Sequence, residues 1–440
     1  MLLRFPSATA LLRLTLAVGL TAAVAAHAAP PLEATPRALP AIGAPRGELT
    51  LRDALAAALL DNRNLAPATA AVRVREGQAL QAGARPNPEL KLELENFGGS
   101  GANQGVESAE TTLRLSQLVE LGGKRARRLA VAGLERDAAQ WDYERQRADV
   151  LADTAKAFAS VLALQERVAL ADELTQLAER ATQAIDALVR GGAAAPVEIT
   201  RAQLASAQAS LQRAARGREL ATARLALAAQ WGSATADFTR VRGQLDHLAP
   251  PPALAPMLSG VERNPDVARW ATELATREAA VDLEQARAVP DIALGAGPRY
   301  LSDTDEVALV FEFWVPLPFF DRNQGGIAAA QAELAQSDAA RRAADTSVRS
   351  ALRRAYEDLG AAYDRAIALR DHLLPAAAKV RSGVADAYKQ GALRSLDVLD
   401  AQRTEFELRD EYLLALAAYH QALAELDRLA GTPPEPPQVP

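Results

Sequence analysis

Residues 192–203 read Gly-Ala-Ala-Ala-Pro-Val-Glu-Ile-Thr-Arg-Ala-Gln, and residues 391–402 read Gly-Ala-Leu-Arg-Ser-Leu-Asp-Val-Leu-Asp-Ala-Gln. They open two stretches, 192–232 and 391–431, that match at a constant offset of 199 residues. Val197-Glu198-Ile199 answers Leu396-Asp397-Val398, and Gly232 answers Gly431. Upstream, Ala84-Arg85…Pro88-Glu89-Leu90 answers Ala286-Arg287…Pro290-Asp291-Ile292. The body of the chain is therefore one unit of roughly 200 residues written twice, with boundaries expected at 49–247 and 248–431.

Within each unit the hydrophobic period changes in the same order. From Leu49 to about Ala84 it is helical, and Pro86 and Pro88 end the helix, because proline lacks the amide donor and clashes with the preceding turn. The period then becomes two. Leu90, Leu92 and Leu94 alternate with Lys91, Glu93 and Glu95, and Leu113 and Leu115 flank Arg114. The Gly-rich loop 98–105 joins these runs into a hairpin over about 88–119. The second unit repeats it over about 290–316, with Ile292, Leu294 and Arg299 before a polar loop and Val307, Leu309, Phe311 and Phe313 after it.

Long helices follow each hairpin, over about 126–189 and 196–231 in the first unit and 326–389 and 395–430 in the second. Residues 126–189 hold no proline and one glycine, Gly133, which predicts a rod of roughly 95 Å. Leu174, Leu177, Ala181, Ile185 and Leu188 recur at coiled-coil spacing, as do Val348, Leu352, Tyr356, Leu359 and Tyr363. Pro375 should kink the second rod. Each rod reverses at a glycine turn, Arg190-Gly191-Gly192 and Gln390-Gly391-Ala392, after which acids stand early in the returning helix: Glu198 in one unit, Asp397 and Asp400 in the other. For Glu198 and Asp397 a favourable interaction with the helix N-terminus explains the acid equally well. Asp400 lies deeper in the helix and is harder to explain that way.

Composition narrows the setting. Residues 1–28 read as a secretory signal, with Arg4 and Arg13 before the apolar run 14–26 and a small-residue cleavage site at Ala26-His27-Ala28. Its loss takes the formal net charge from −6 to −8, which argues against nucleic acid as a partner. Residues 29–48 form an extended Pro/Ala-rich leader and 432–440 a disordered tail. With no cysteine there is no disulfide, thiolate metal site or lipidated N-terminal Cys. Nothing after the signal is long and apolar enough for a transmembrane helix, so a membrane crossing must use strands.

A soluble sheet with one wet face gives the same alternation as membrane strands. Two observations favour the membrane. The strands come as isolated hairpins separated by helical stretches, and the aromatic residues Phe97, Tyr300, Trp314, Phe319 and Phe320 collect at strand ends. Lys91, Glu93, Glu95, Arg114, Arg299 and Glu312 would then face a water-filled lumen. Four strands cannot close a barrel, and an open edge in lipid is forbidden, so this reading requires oligomerisation.

No catalytic constellation stands out, and the chain is not expected to be an enzyme. His247, His372 and His420 are scattered without metal-ligand spacing, and His420 reads as a surface or interface residue. No resident metal or cofactor is expected.

The duplicated unit, the strings Leu121-Gly122-Gly123-Lys124-Arg125 and Pro316-Leu317-Pro318-Phe319-Phe320-Asp321-Arg322-Asn323-Gln324-Gly325, and Gly391…Asp397-Val398-Leu399-Asp400-Ala401-Gln402 resemble outer-membrane efflux channels of the TolC type, heavy-metal CzcC-like branch, over about 49–431. The resemblance implies a mixed α+β, mainly helical fold. Long coiled-coil helices form an α-barrel tunnel, and four transmembrane strands per chain contribute to the twelve-stranded β-barrel of a homotrimer. It implies a passive exit duct in the outer membrane, extending into the periplasm and working with a periplasmic membrane-fusion adaptor and a proton-driven resistance–nodulation–division pump of the inner membrane. The implied cargo is divalent heavy-metal cations of the cobalt, zinc and cadmium type. It carries aperture and cation-selectivity roles onto Asp397, Asp400 and Glu198, and adaptor contacts onto the tips around Arg190, Gly192, Gln390, Gly391 and Leu393. The family's aperture latch often uses arginine two positions after the second tip glycine; Leu393 stands there, and Arg394 follows as the candidate latch. The competing readings are a duct for drug efflux or type I protein secretion, and a soluble periplasmic coiled-coil scaffold.

Overall fold

The structure is a computed structural model and is described for residues 45–393 and 395–431. The expected signal (1–28), most of the leader, the tail (432–440) and Arg394 lie outside the described residues. The elements run in chain order as β1 (Gly47–Thr50), α1 (Leu51–Asp61), α2 (Leu65–Ala82), β2 (Glu89–Glu95), β3 (Glu110–Val119), α3 (Lys124–Arg190), α4 (Pro196–Ala229), β4 (Phe238–Arg242), α5 (Leu254–Gly260), α6 (Pro265–Arg287), β5 (Ile292–Leu301), β6 (Glu306–Trp314), α7 (Gln324–Ala368), α8 (Leu374–Lys389) and α9 (Ser395–Ala430).

The two hairpins join in one antiparallel sheet of order β2-β3-β5-β6, so the second unit's hairpin docks edge to edge on the first. Below it α3, 67 residues and roughly 100 Å long, packs against α2, α4, α6 and α9. The helix α7 lies between α6 and α9, and α8 pairs with α9. The apolar core sits around the middle of the rods. Phe238, Val241, Leu227, Val161, Leu49, Leu369 and Leu416 form one cluster, and Leu352, Leu359, Val261, Leu426 and Leu429 a second. Of the two spacings read as coiled-coil seams, the second is the better buried, with Val348, Leu352 and Leu359 in that core. In the first only Ile185 is fully buried, and Leu188 is exposed.

Three features depart from the sequence reading. Outside the hairpins, Gly47–Thr50 pairs parallel with Phe238–Arg242, with Leu49 opposite Val241, so the end of the expected leader is a strand. Leu49 is buried at 2% exposure, but one leucine in a polar stretch creates no period. The helix expected from Leu49 to Ala84 breaks between α1 and α2 because Asn62 is committed elsewhere. Its Nδ2 donates to the Gln230 carbonyl (2.6 Å) and its Oδ1 accepts from the Asn64 N–H (2.8 Å). Ahead of Pro375, where a kink is expected, the rod carries a π-turn at Leu369–Leu373 that the sequence pattern does not show.

The duplication is visible in how helices end. Asn264, in the second unit, donates through Nδ2 to the Leu429 (2.8 Å) and Arg428 (3.0 Å) carbonyls, as Asn62 does to Gln230 in the first. Each buried asparagine thus satisfies carbonyls that the last helical turn leaves open. Gly232 and Gly431 follow in the left-handed region, both with φ 72°.

Candidate permeation path and helical tips

In the sheet, directly opposed residues share a face. Lys91 lies opposite Arg114, Glu93 opposite Thr112, Thr112 opposite Arg299 and Gly295 opposite Glu312, so all six expected lumen residues line one side. They are also bonded into two clusters, one around Arg114 and one around Arg299. Arg114 donates to Glu93 (2.7 Å) and Glu312 (2.5 Å), and Lys91 pairs with Glu93 (2.5 Å). Arg299 reaches Glu110 (2.7 Å), Glu95 (3.4 Å) and the Thr112 hydroxyl (2.9 Å). Glu110 and Thr112 were missed in the sequence, although both continue the alternation around Arg114. Glycines make the crossing possible: a Cβ on Gly297 would lie 1.8 Å from the Leu113 carbonyl oxygen, and one on Gly295 3.1 Å from Arg114 Cδ.

The opposite face carries Leu90, Leu92, Leu94, Leu115, Leu294, Val307, Leu309, Phe311 and Phe313, all exposed, with Leu309 at 73% and Phe311 at 79%. Phe97, Trp314, Phe319 and Phe320, beside or beyond the strand ends, are exposed as well. An apolar band of this size has no aqueous explanation in a single chain. Among the described residues no helix is long and apolar enough to cross a membrane.

At the far end the rods reverse. The chain leaves α3 through Gly192 at φ 73°, with the Ala193 N–H bonded back to the Leu188 carbonyl (2.8 Å). It leaves α8 through Gly391 at φ 77°, with Ala392 bonded back to Ala387 (2.9 Å). This six-residue closure needs a left-handed residue, which is why glycine recurs at the repeat offset. Arg190 pairs with Asp186, the Gln390 N–H bonds to the Asp386 carbonyl (3.2 Å), and Leu393 is exposed. Glu198 is held by Arg201 one turn on (3.0 Å). Asp397 is half-buried in the first turn of α9, and Asp400 is exposed on the wall of a groove of about 620 Å³ between α3, α4 and α9. Asp397 and Asp400 stand one turn apart on α9, and among the described residues no group of His, Asp and Glu is disposed to hold a metal ion.

Charge also ties the rods together. In the same groove the buried Arg167 of α3 forks onto Asp410 of α9 (2.6 and 2.8 Å), and Arg216 of α4 joins them (3.1 Å). Burial alone would raise the Asp410 pKa, but the hydrogen bond and charge of Arg167, with Arg216, outweigh it and hold the carboxyl below its ordinary range. Nearer the middle, Arg428 of α9 contacts Asp149 (3.1 Å), Asp266 (3.4 Å) and Glu425 (3.0 Å), and Glu425 also meets Lys156. Burial pushes Asp149 up; Glu425 is held down, because Lys156 and Arg428 outweigh its burial. His420, read as a surface or interface residue, is half-buried. It packs at right angles to Tyr419, its Nε2 lies 2.8 Å from the Leu245 carbonyl, and burial lowers its pKa.

A sheet with a dry outer face and a charged inner face, continued by paired helical rods, is the framework of an efflux channel. The chain belongs to the outer membrane efflux protein family, whose model matches residues 54–233 and 260–432, one stretch in each half of the duplication. It is 35% identical over 387 residues to the cobalt-zinc-cadmium resistance protein CzcC of Cupriavidus metallidurans, covering 88% of this chain and 90% of that one. It is 31% identical over 288 residues to the nickel-cobalt-cadmium resistance protein NccC of Alcaligenes xylosoxydans, covering 63% of this chain and 65% of that one. Among solved structures, a membrane protein from Pseudomonas aeruginosa matches with TM-score 0.75 at 22% identity, covering 87% of this chain and 92% of the other. The channel CusC matches with TM-score 0.73 at 18% identity, with the same coverage. The protein is an outer-membrane efflux protein that extends into the periplasm.

Proposed function

We propose that the protein is the passive exit duct of a tripartite efflux system for divalent heavy-metal cations. The observation that carries the duct is the sheet, with its apolar face exposed and its opposite face bonded into clusters of charge. Two open edges, β2 and β6, are untenable in lipid, and three copies joined edge to edge close a barrel of twelve strands. A proton-driven inner-membrane pump and a periplasmic adaptor supply the drive and the connection, the adaptor meeting the tips around Gly192 and Gly391. The cargo follows from CzcC and NccC, both metal-resistance proteins by name.

In this reading Asp397 and Asp400 ring the periplasmic mouth, with Glu198 as their counterpart in the first unit and Arg394 as the candidate latch. Three copies of each acid around a narrow axis create a negative potential that draws cations and repels anions. Single-channel conductance of the detergent-purified protein, titrated with divalent and trivalent cations from the periplasmic side, tests this. Small cation-selective steps with side-specific block are expected. Asp397→Ala with Asp400→Ala should weaken the block by roughly ten-fold, about 1.4 kcal/mol of lost attraction. Unchanged block removes the two acids from the mouth, and a protein that never conducts overturns the duct.

A further inference from the structure

Of the charged side chains in the two clusters of the sheet, that of Arg114 is the least exposed, at 11% against 26% for Glu93 and 42% for Glu312. It rises from β3 and yet ties β2 to β6. One arm of its guanidinium donates to Glu93 on the neighbouring strand (2.7 Å), the other to Glu312 two strands away (2.5 Å). Two strand spacings are about 10 Å, so the side chain must lie flat along the wall to make both bonds. Gly295 clears the bed for it. A Cβ there would stand 3.1 Å from Arg114 Cδ and 3.3 Å from Glu312 Oε2. Among the described residues the buried Nε of Arg114 finds no partner. The arginine is thus placed to serve the two carboxylates rather than to complete its own hydrogen bonds.

Two carboxylates that converge on one cationic centre also suit a divalent metal ion, which zinc shows by taking carboxylate oxygens at about 2.0–2.2 Å. Arg299 holds Glu95 and Glu110 as Arg114 holds Glu93 and Glu312, so each of these four glutamates is bonded to an arginine. With Lys91 on Glu93, the clusters set three bases against four acids, and the wall is close to neutral. Conduction needs an ion to be attracted to the path yet held weakly enough to leave it. Glutamates without these partners would attract a divalent cation and keep it. A guanidinium fixed between Glu93 and Glu312 fills their point of convergence permanently.

We infer that Arg114 is a specificity-determining residue of the duct: as a tethered cation it occupies the place between Glu93 and Glu312 that a divalent metal ion would otherwise take, so the cargo passes the sheet without being held there. The inference rests on the proposed passage of divalent cations and adds the device that lets them leave. Planar-bilayer recording with zinc on the extracellular side tests it. Arg114→Gln should be blocked at a zinc concentration about ten-fold or more below any that affects the parent. Adding Glu93→Gln and Glu312→Gln to that variant should remove the block, which a merely bracing arginine would not predict. A conducting parent with Arg114→Gln no more sensitive to zinc overturns the inference and leaves the duct standing. Block that persists without the two glutamates also overturns it, because the ion is then held elsewhere. A parent that never conducts overturns the duct, and the inference with it. Thermal unfolding in detergent gives a second reading, should Arg114→Gln assemble poorly. Zinc should raise the melting temperature of Arg114→Gln and restore its assembly, while leaving the parent and the triple variant unmoved. An Arg114→Gln protein that zinc does not rescue assigns the arginine to the fold alone and overturns the inference.

Discussion

The sheet and the middle of the helical rods are built from the same residue types turned inside out. In the core at the middle of the rods, Phe238 of β4 and Leu352, Leu359 and Leu426 of the helices are fully buried. In the sheet Leu92, Leu309, Phe311 and Phe313 point outward, while Arg114, with its side chain 11% exposed, holds Glu93 and Glu312 on the inner face. The difference teaches which solvent each region meets. Water expels apolar surface from the rods, whereas hydrocarbon accepts it and expels the charges, which must then pair or face a wet lumen.

Substitution should expose that contrast most strongly in the core at the middle of the rods. Phe238→Ala removes a ring packed on Trp231 (centroids 6.0 Å) and under the Arg224 guanidinium, and is expected to cost about 4 kcal/mol, read as a lowered denaturant midpoint in detergent. An unchanged midpoint would mean that the core has been placed in the wrong region. Leu309→Arg comes next. On the lipid face an arginine near the midplane costs about 2–4 kcal/mol, so assembly into membranes should fall sharply. If the face were wetted by water, the same change would leave assembly intact and raise solubility.

The smallest effect expected is that of pH on the inter-rod clasp. Asp410 has a folded pKa held below the ordinary 3.8, so its contribution to stability is complete above that value. It is lost as pH falls through the lower folded pKa. Acid unfolding followed by circular dichroism should therefore show a limb below about pH 4 that Asp410→Asn flattens. A variant with the wild-type acid limb would show that Arg167 and Asp410 do not couple as their geometry implies.

Much of this contrast was legible in the chain because it is periodic. The alternation at Leu90–Glu95 and around Arg114 fixes both faces of the first hairpin, and the tip glycines at the repeat offset mark the reversals. The acids at the tips are a different matter. The pattern marks Asp397, Asp400 and Glu198 only as acids early in the returning helices, and the resemblance supplies their role, since a ring of acids requires neighbouring copies that a single sequence does not contain.

By itself, then, the sequence determined the duplication, the hairpins with their apolar and charged faces, and the course of the long rods. All of these follow from local periodicity and from what glycine and proline do to the backbone. Only the tertiary structure decided that Leu49 enters a parallel strand pair with Val241, that Asn62 and Asn264 close helices 168 and 165 residues away, and that Arg167 meets Asp410 across 243 residues. Such contacts leave no period behind. A buried charge or amide takes whichever partner packing brings within hydrogen-bond reach, and that choice is made between elements rather than along them.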